Sequence, residues 1–395
     1  MSKSNETTPN VPTLRFKKYN TNWDIKKLSD YVKKITRKNS NNVIKNVICN
    51  SAQNGLIPQL DFFDKEIANN ENTAGYYIIS NGDFVYNPRK SLSAPYGPVN
   101  IYKYDSDGIV SPLYLCFSVD DCINKSFLLQ RFKSPCWYRY IYLNGDSGAR
   151  HDRVSIKDEV FLSQPINLPN TEEQAVIAEF LEKIDERISV QNKIISDLKV
   201  IKKELCNKVF GKGSVVRLGN FIEEVTTRNK SNSCENVLSV SNKMGFIKQS
   251  EQFEDRTVAS ENKSNYKVVT EGCFAYNPAR INVGSIALLS TYKIGIISPM
   301  YVCFKIKSAL DSEYLNFYYQ SGFFYKELQK KLEGSVRQCL TYENMSKILI
   351  PYVGIEEQKA IATTLNKFAT LIANEEKYLK SLQKQKSYFL NAMFI

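Results

Sequence analysis

"YNPRK" (Tyr86 to Lys90) and "YNPAR" (Tyr276 to Arg280) each place a cation behind an Asn-Pro pair. Asn-Pro forces an extended or turn conformation. Coming directly after an apolar, strand-like run, it makes the next residues project from a strand end. In the first stretch the projected groups are Arg89, Lys90 and Ser91; in the second they are Arg280 and Asn282. Arg and Lys suit guanine O6 and N7, Asn suits an adenine edge, and all of them can hold phosphates. The alternative is a tight turn with solvated charges. Tyr86, Asn87, Tyr276 and Asn277 are common to both stretches and so suit scaffold or backbone contact; the residues that differ are better placed to read bases. Two basic, amide-rich loops also match: "TRKNSNN" (Thr36 to Asn42, with Lys38) and "TTRNKSN" (Thr226 to Asn232, with Arg228 and Lys230). They are solvated loops or phosphate holders. Arg150 and Arg337 end the matched stretches "SGAR" and "GSVR" and suit a phosphate or an internal carboxylate.

Residues for catalysis are scarce. The single histidine, His151, argues against His-based catalysis or a His metal site. Both "YNP" stretches lack the second Pro of an "NPP[YF]" aminomethyltransferase motif, "GKGS" (Gly211 to Ser214) lacks Walker A spacing, and no nuclease carboxylate cluster stands out. The nine cysteines form no CxxC pair and several lie in apolar runs ("YLCF", "YVCF"), so they are expected to be reduced and buried in a cytosolic protein. The N-terminus is polar, unlike a signal peptide, and no apolar run approaches the ~20 residues of a membrane span. A net charge of +12 fits a polyanion partner or a merely basic surface.

The elements that position these groups are written twice. "GDFVYNPRK" (from Gly82) answers "GCFAYNPAR" (from Gly272), and "GIVSPLYLCF" (from Gly108) answers "GIISPMYVCF" (from Gly295). "LPNTEEQAVIAEFLEKID" (from Leu168) answers "IPYVGIEEQKAIATTLNKFA" (from Ile350). The order is the same in both halves, so this is a two-unit duplication. Short β-type runs and turn signals predict an α+β (mixed α/β) globule in each half. "SPLY" and "SPMY" are expected to be buried strand.

A long helix comes after each globule. Ile177, Leu181, Ile184, Ile188, Ile195, Leu198, Leu205 and Val209 alternate 4- and 3-spacing, with Gln191 and Lys202 on the seam. Ile361, Leu365, Phe368, Ile372, Leu379, Leu382, Phe389 and Met393 repeat the ladder, with Glu375 and Lys386 on the same rungs. A sustained 3.5-residue period predicts paired helices of roughly 57 Å each. Asn170 is the expected cap, with Glu173 in a capping box. Because only "GKGS" separates the first helix from the second globule, the chain order predicts an intramolecular antiparallel coiled coil with pseudo-two-fold symmetry. The expected division is 1–167, 168–210 (central helix), 211–349 and 350–395 (C-terminal helix).

In this order, twice, these stretches resemble the specificity (S) subunits of type I restriction-modification systems over the chain from about Leu14. The tails "SGARHDRVSI" and "EGSVRQCLTYENMSKILIP" add to the likeness. The resemblance implies a non-catalytic, cytoplasmic subunit of a phage-defence complex. Each globule would be a target recognition domain reading one half of a bipartite double-stranded DNA sequence. The helices would set the spacer and dock two modification (methyltransferase) subunits, to which the restriction subunits attach. No cofactor is implied for this chain: S-adenosylmethionine, ATP and Mg²⁺ belong to the partners. Other readings are a recognition module of another methyltransferase or restriction class, a free-standing DNA-modifying enzyme, and a coiled-coil scaffold.

Overall fold

The computed structural model describes residues 10–62, 73–146, 152–211, 213–242, 244–252, 262–307, 309–334 and 338–395. The chain divides into two compact units, Met1–Gln191 with Tyr378–Ile395, and Asn192–Lys377. Each has a mixed α/β globule and a stretch of each long helix, Thr171–Phe210 and Ile355–Ala392.

In unit 1 an antiparallel sheet runs in the order Val32–Lys34, Leu115–Val119, Phe84–Tyr86, Val99–Ile101. Unit 2 repeats it as Ile222–Glu224, Val302–Ile306, Phe274–Tyr276, Ile286–Leu288. The register is also repeated. Phe84 lies opposite Phe117 with rings stacked at 5.5 Å, and Phe274 opposite Phe304 at 5.2 Å. Successive strand residues point to opposite faces, so Phe84 joins the main core while Val85 and Cys116 join a smaller cluster behind the sheet. Burial on both faces explains the unbroken apolar runs "FVY" and "LCF".

A second sheet in unit 2 is ordered Gly245–Lys248, Val237–Ser241, Ile294–Ile297, Lys267–Thr270 and includes one parallel pair. Its counterpart in unit 1 is split into the hairpin Ile48–Ser51/Gly55–Pro58 and the pair Tyr77–Ile79/Gly108–Val110, linked by a single parallel bridge, Val47 to Ile109. The shared glycine of "GI[VI]SP" is a packing requirement. A Cβ at Gly108 would stand 2.7 Å from the Ile48 side chain, and one at Gly295 2.4 Å from Leu238.

Two expectations need correction. "SPLY" and "SPMY" are not buried strand but β-turns between strands of different sheets, closed by Tyr114 N–H to Ser111 O (3.0 Å) and Tyr301 N–H to Ser298 O (3.1 Å). Proline presets the turn's second position, and the residue after it is turned outward: Leu113 is 59% exposed and Met300 60%. The cysteines are all free, but only Cys116, Cys206, Cys273 and Cys303 are buried, and Cys122 is exposed.

The helix openings explain the repeated "EEQ". Gln174 is buried; it accepts from Asn124 N–H (2.9 Å) and donates to Pro169 O (3.0 Å). Gln358 accepts from Asp311 N–H (2.8 Å) and donates to Val353 O (2.8 Å). Asn124 and Asp311 are themselves the N-caps of globule helices Lys125–Lys133 and Ser312–Tyr318. One amide therefore joins each long helix to the capped end of a shorter one. Asn170 caps the first long helix by accepting from Glu173 N–H at 2.8 Å. The Glu173 side chain does not return to form the expected box. It is fully buried and takes two 2.7 Å bonds from Arg15. Arg15 lies on an N-terminal segment that also bonds the end of the second helix, Leu14 N–H to Ala392 O at 2.9 Å. Among the described residues no such segment pairs with Glu357, which is exposed.

Within each unit the helix stretches run antiparallel. In unit 1 Phe180 meets Phe389 edge-on at 4.9 Å, Asp185 pairs with Lys386, and Arg187 donates to Tyr378 Oη at 2.8 Å. In unit 2 Lys199 pairs with Glu376 at 2.6 Å, while Cys206 and Phe210 share a cluster with Ala362 and Leu365. Ala178, Cys206, Phe210 and Ala362 fall outside the predicted ladder yet are buried. Near a globule each helix packs on the globule as well as on the other helix, which widens its apolar face. Of the seam lysines, Lys386 bonds Asp185, whereas Lys202 bonds Gln320 (3.1 Å) and lies over the Phe317 ring. Burial raises the Asp185 carboxyl's pKa, but Lys133 and Lys386 outweigh it and hold the group below its ordinary range.

Residues of one motif should differ in weight. Gln174→Ala and Gln358→Ala each strand buried backbone groups and should cost about 1–3 kcal/mol. Glu173→Ala leaves Arg15 unpaired and should cost about 3 kcal/mol or more, whereas its counterpart Glu357→Ala should stay within about 1 kcal/mol. Urea denaturation of the variants checks the order.

Candidate functional site

The "YNP" stretches build turns with their shared residues. Asn87 Oδ1 accepts from Arg89 N–H (3.0 Å) and Asn277 Oδ1 from Ala279 N–H (3.1 Å), the side-chain turn that Asn favours. Tyr86 and Tyr276 are buried in the cores, and burial raises both phenol pKa values. In unit 1 the chain then runs beside a returning segment. Lys90 N–H donates to Asp152 O and Val154 N–H to Pro88 O, both at 2.9 Å. Arg89 thus lies across from Arg153. Beyond it Ser91 and Ala94 exchange backbone bonds around a tight turn, N–H to O at 3.0 and 3.2 Å.

A cleft of ≈ 430 Å³ opens at this strand end. Arg89, Lys90 and Ser91 line it with Arg153, the hairpin turn at Ser51–Asn54, and Ser111, Leu113 and Tyr114 of the Ser-Pro turn. Its floor is an amide network centred on buried Asn50. Asn50 donates to Val85 O (2.7 Å) and accepts from Asn100 Nδ2 (2.7 Å), while Asn87 Nδ2 donates to Asn50 O (3.2 Å). Among the described residues the lining holds three cations and no carboxylate. The nearby Asp152 stands 4.0 Å from Arg89 in an exposed pair that leaves the guanidinium free to engage other anions. Burial raises the Tyr114 phenol and the Cys49 thiol, so both face the cleft uncharged. Cationic forks over neutral amides and hydroxyls suit phosphates and base edges.

Among the described residues of unit 1, Lys38 does not line this cleft. Lys38 is exposed on a loop folded about buried Asn39, whose amide bonds Ile44 N–H and O. Its counterpart Asn229 bonds Cys234 in the same way. Each basic loop is thus folded around one bonded asparagine. Lys230 projects into solvent, and Arg228 donates to Asn265 O at 2.7 Å. Arg280 and Asn282 are exposed on a short turn, Ile281–Val283, where unit 1 has its longer loop. Arg150 and Arg337 lie outside the described residues. The cleft also gathers Arg153, Gln53, Asn54 and Tyr114, which the sequence does not single out. "QNG" was a hairpin signal for two of them; nothing local marks Arg153, which reaches the cleft through pairing across a long stretch of chain.

The matched globules and their twin long helices define a duplicated, two-unit protein with a cationic cleft at a strand end, the kind of surface suited to nucleic acid. A sequence model of the type I restriction modification DNA specificity domain matches residues 20–200 and again 215–384. The chain belongs to that family. Among its relatives, the type I restriction enzyme MjaVIII specificity subunit of Methanocaldococcus jannaschii is 26% identical over 322 residues, 72% of this chain and 70% of the relative. The putative MjaX specificity subunit of the same organism is 26% identical over 295 residues, 68% of this chain and 66% of the relative. The fold is shared with a chain from a structure describing complex assembly and conformational transition of a type I system. It has a TM-score of 0.58 and 16% identity, with 93% of this chain and 96% of the other covered. It is shared too with a type I S subunit from M. genitalium, at TM-score 0.55 and 14% identity, with 98% and 99% covered.

This chain is a DNA sequence-specificity subunit, the non-catalytic component of a type I restriction-modification complex, whose partners are DNA and the other subunits. Among the described residues no helix is long and apolar enough to cross a membrane, and no His, Cys, Asp or Glu group is placed to hold a metal.

Gly97 braces the cleft loop. It has φ +85°, and a Cβ there would stand 2.1 Å from Asn87 O. Gly97→Ala should therefore cost more than about 1 kcal/mol and disturb the Arg89–Arg153 ledge; urea denaturation and amide exchange at Arg89 to Ser91 measure both effects.

Proposed function

We propose that each unit reads one half of a bipartite double-stranded DNA target, with the residues after "YNP" making the sequence-dependent contacts. The observation that supports this most is repetition with divergence. Strand register, Asx turn and buried Tyr recur in both units, while the projected groups are Arg89, Lys90 and Ser91 in one and Arg280 and Asn282 in the other. A scaffold held constant beneath unlike polar side chains suits two different half-sequences. Lys38, Arg228, Lys230, Arg150 and Arg337 then serve the phosphate backbone, which positions without specifying. The long helices set the number of unread base pairs and dock two modification subunits, with restriction subunits attached to those. S-adenosylmethionine, ATP and Mg²⁺ act on the partners.

Mapping methylated adenines in the host genome with and without this protein tests the reading. A two-part motif with a fixed gap should appear only with it; an unchanged methylation pattern in a host with active partners overturns the assignment.

The contact classes separate in a binding titration of the complex. Replacing a base-reading member of Arg89, Lys90 and Arg153 by Ala should cost about 1–3 kcal/mol and relax preference at one position. Replacing a phosphate contact such as Lys38 should weaken all sequences alike and reduce the slope of log K against log salt by about 0.9.

A further inference from the structure

Leu92 is 108% exposed, as far into solvent as a leucine can stand. A lone exposed leucine is ordinary on a protein surface; the mounting of this one is not. It sits at the tip of the two-residue turn closed by Ser91 and Ala94, and Ser91 Oγ adds a bond from Ala94 N–H at 3.1 Å. Ala94 is buried beneath it, and Gly97 N–H donates to Ala94 O at 3.0 Å. The stem is held by the Lys90–Asp152 and Val154–Pro88 backbone bonds. The leucine is thus carried on a braced hairpin and stands clear of the cleft lining. Arg89, Lys90 and Arg153 lie at its base.

An apolar tip with cations behind it has one natural complement in duplex DNA: the tip enters between base pairs while the cations hold the flanking phosphates. Apolar wedges of this type unstack a base step and kink the duplex by about 20–90°. We propose that Leu92 is such a wedge and opens one base step in the half-target read by unit 1. The idea rests on the DNA-reading function above and adds to it a deformation that makes some steps easier to bind than others. Unit 2 is built more bluntly. Its loop spans Asn277–Ser285 where unit 1 has Asn87–Pro98, and the exposed aliphatic Val283 (59%) lies on a short helical turn, not a hairpin tip. Of the two loops that follow "YNP", only the one in unit 1 carries the wedge.

The test uses the complex of this chain with its modification subunit and duplexes of the mapped target. 2-Aminopurine is placed in turn at each position of both half-sequences other than the methylated adenine. The wild-type complex should raise fluorescence several-fold at one step. Leu92→Ala should abolish that signal and reduce the bend seen by energy transfer between the duplex ends. Leu92→Met, which keeps an apolar tip, should retain the signal, as should Val283→Ala. Specific binding with no unstacked step, or a signal that survives Leu92→Ala, overturns the wedge and leaves the DNA-reading function standing. Absence of specific binding by the wild-type complex overturns both.

Discussion

The side-chain amides of Gln174 and Gln358 each join three things: the first turn of a long helix, the strand end before it, and the capped start of a globule helix. A buried amide that bonds backbone on both sides permits little rotation, because tilting the helix would strand a donor or an acceptor away from water. The direction of each long helix relative to its own globule is set there. The neighbouring glutamates look more like functional groups, but Glu172 is exposed on Lys18, and Glu173 is consumed by Arg15.

Other shared polar residues do similar work. Asn39 and Asn229 shape the basic loops, and Asn87 and Asn277 turn the chain out of its central strand. Gly108 and Gly295 admit a close strand contact. Each satisfies a backbone group or fills a space that tolerates no other side chain. The exposed tips obey no such constraint, so Leu92 and Asn282, or Asn54 and Met244, can differ without cost to the fold.

Much of the architecture was legible in the sequence because it rests on periodicity and repetition. The two helix ladders, the mixed globules and the strand ends at "YNP" are all products of spacing. What escaped was whatever depends on residues far apart in the chain. The Ser-Pro stretch reads as one apolar strand, yet its halves belong to different sheets, and the turn between them carries Leu113 to the cleft. Glu173 reads as half of a capping box because the box is local; a nearly buried Arg15 from the N-terminal segment offers two charge-assisted bonds and wins. Arg89, Lys90 and Ser91 reach the cleft from a position that the sequence marks, behind Asn-Pro; Arg153 reaches it only because its segment pairs with Pro88–Lys90.

The cleft shows how rigidity and variability coexist in so small a space. Asn50, Asn87 and Asn100 spend their amides on one another and on strand carbonyls, so the floor has little capacity left for a ligand. Arg89, Lys90 and Ser91 are held chiefly through their backbones, by Asn87 Oδ1, Asp152 O and Ala94 O, with one further bond from Ala94 N–H to Ser91 Oγ. A backbone bond is indifferent to the side chain it carries. Changing what the loop presents therefore disturbs neither the network below nor the strand behind. Substitution can change what the loop presents one residue at a time while the sheet, the amide floor and the glutamine joint stay as they are.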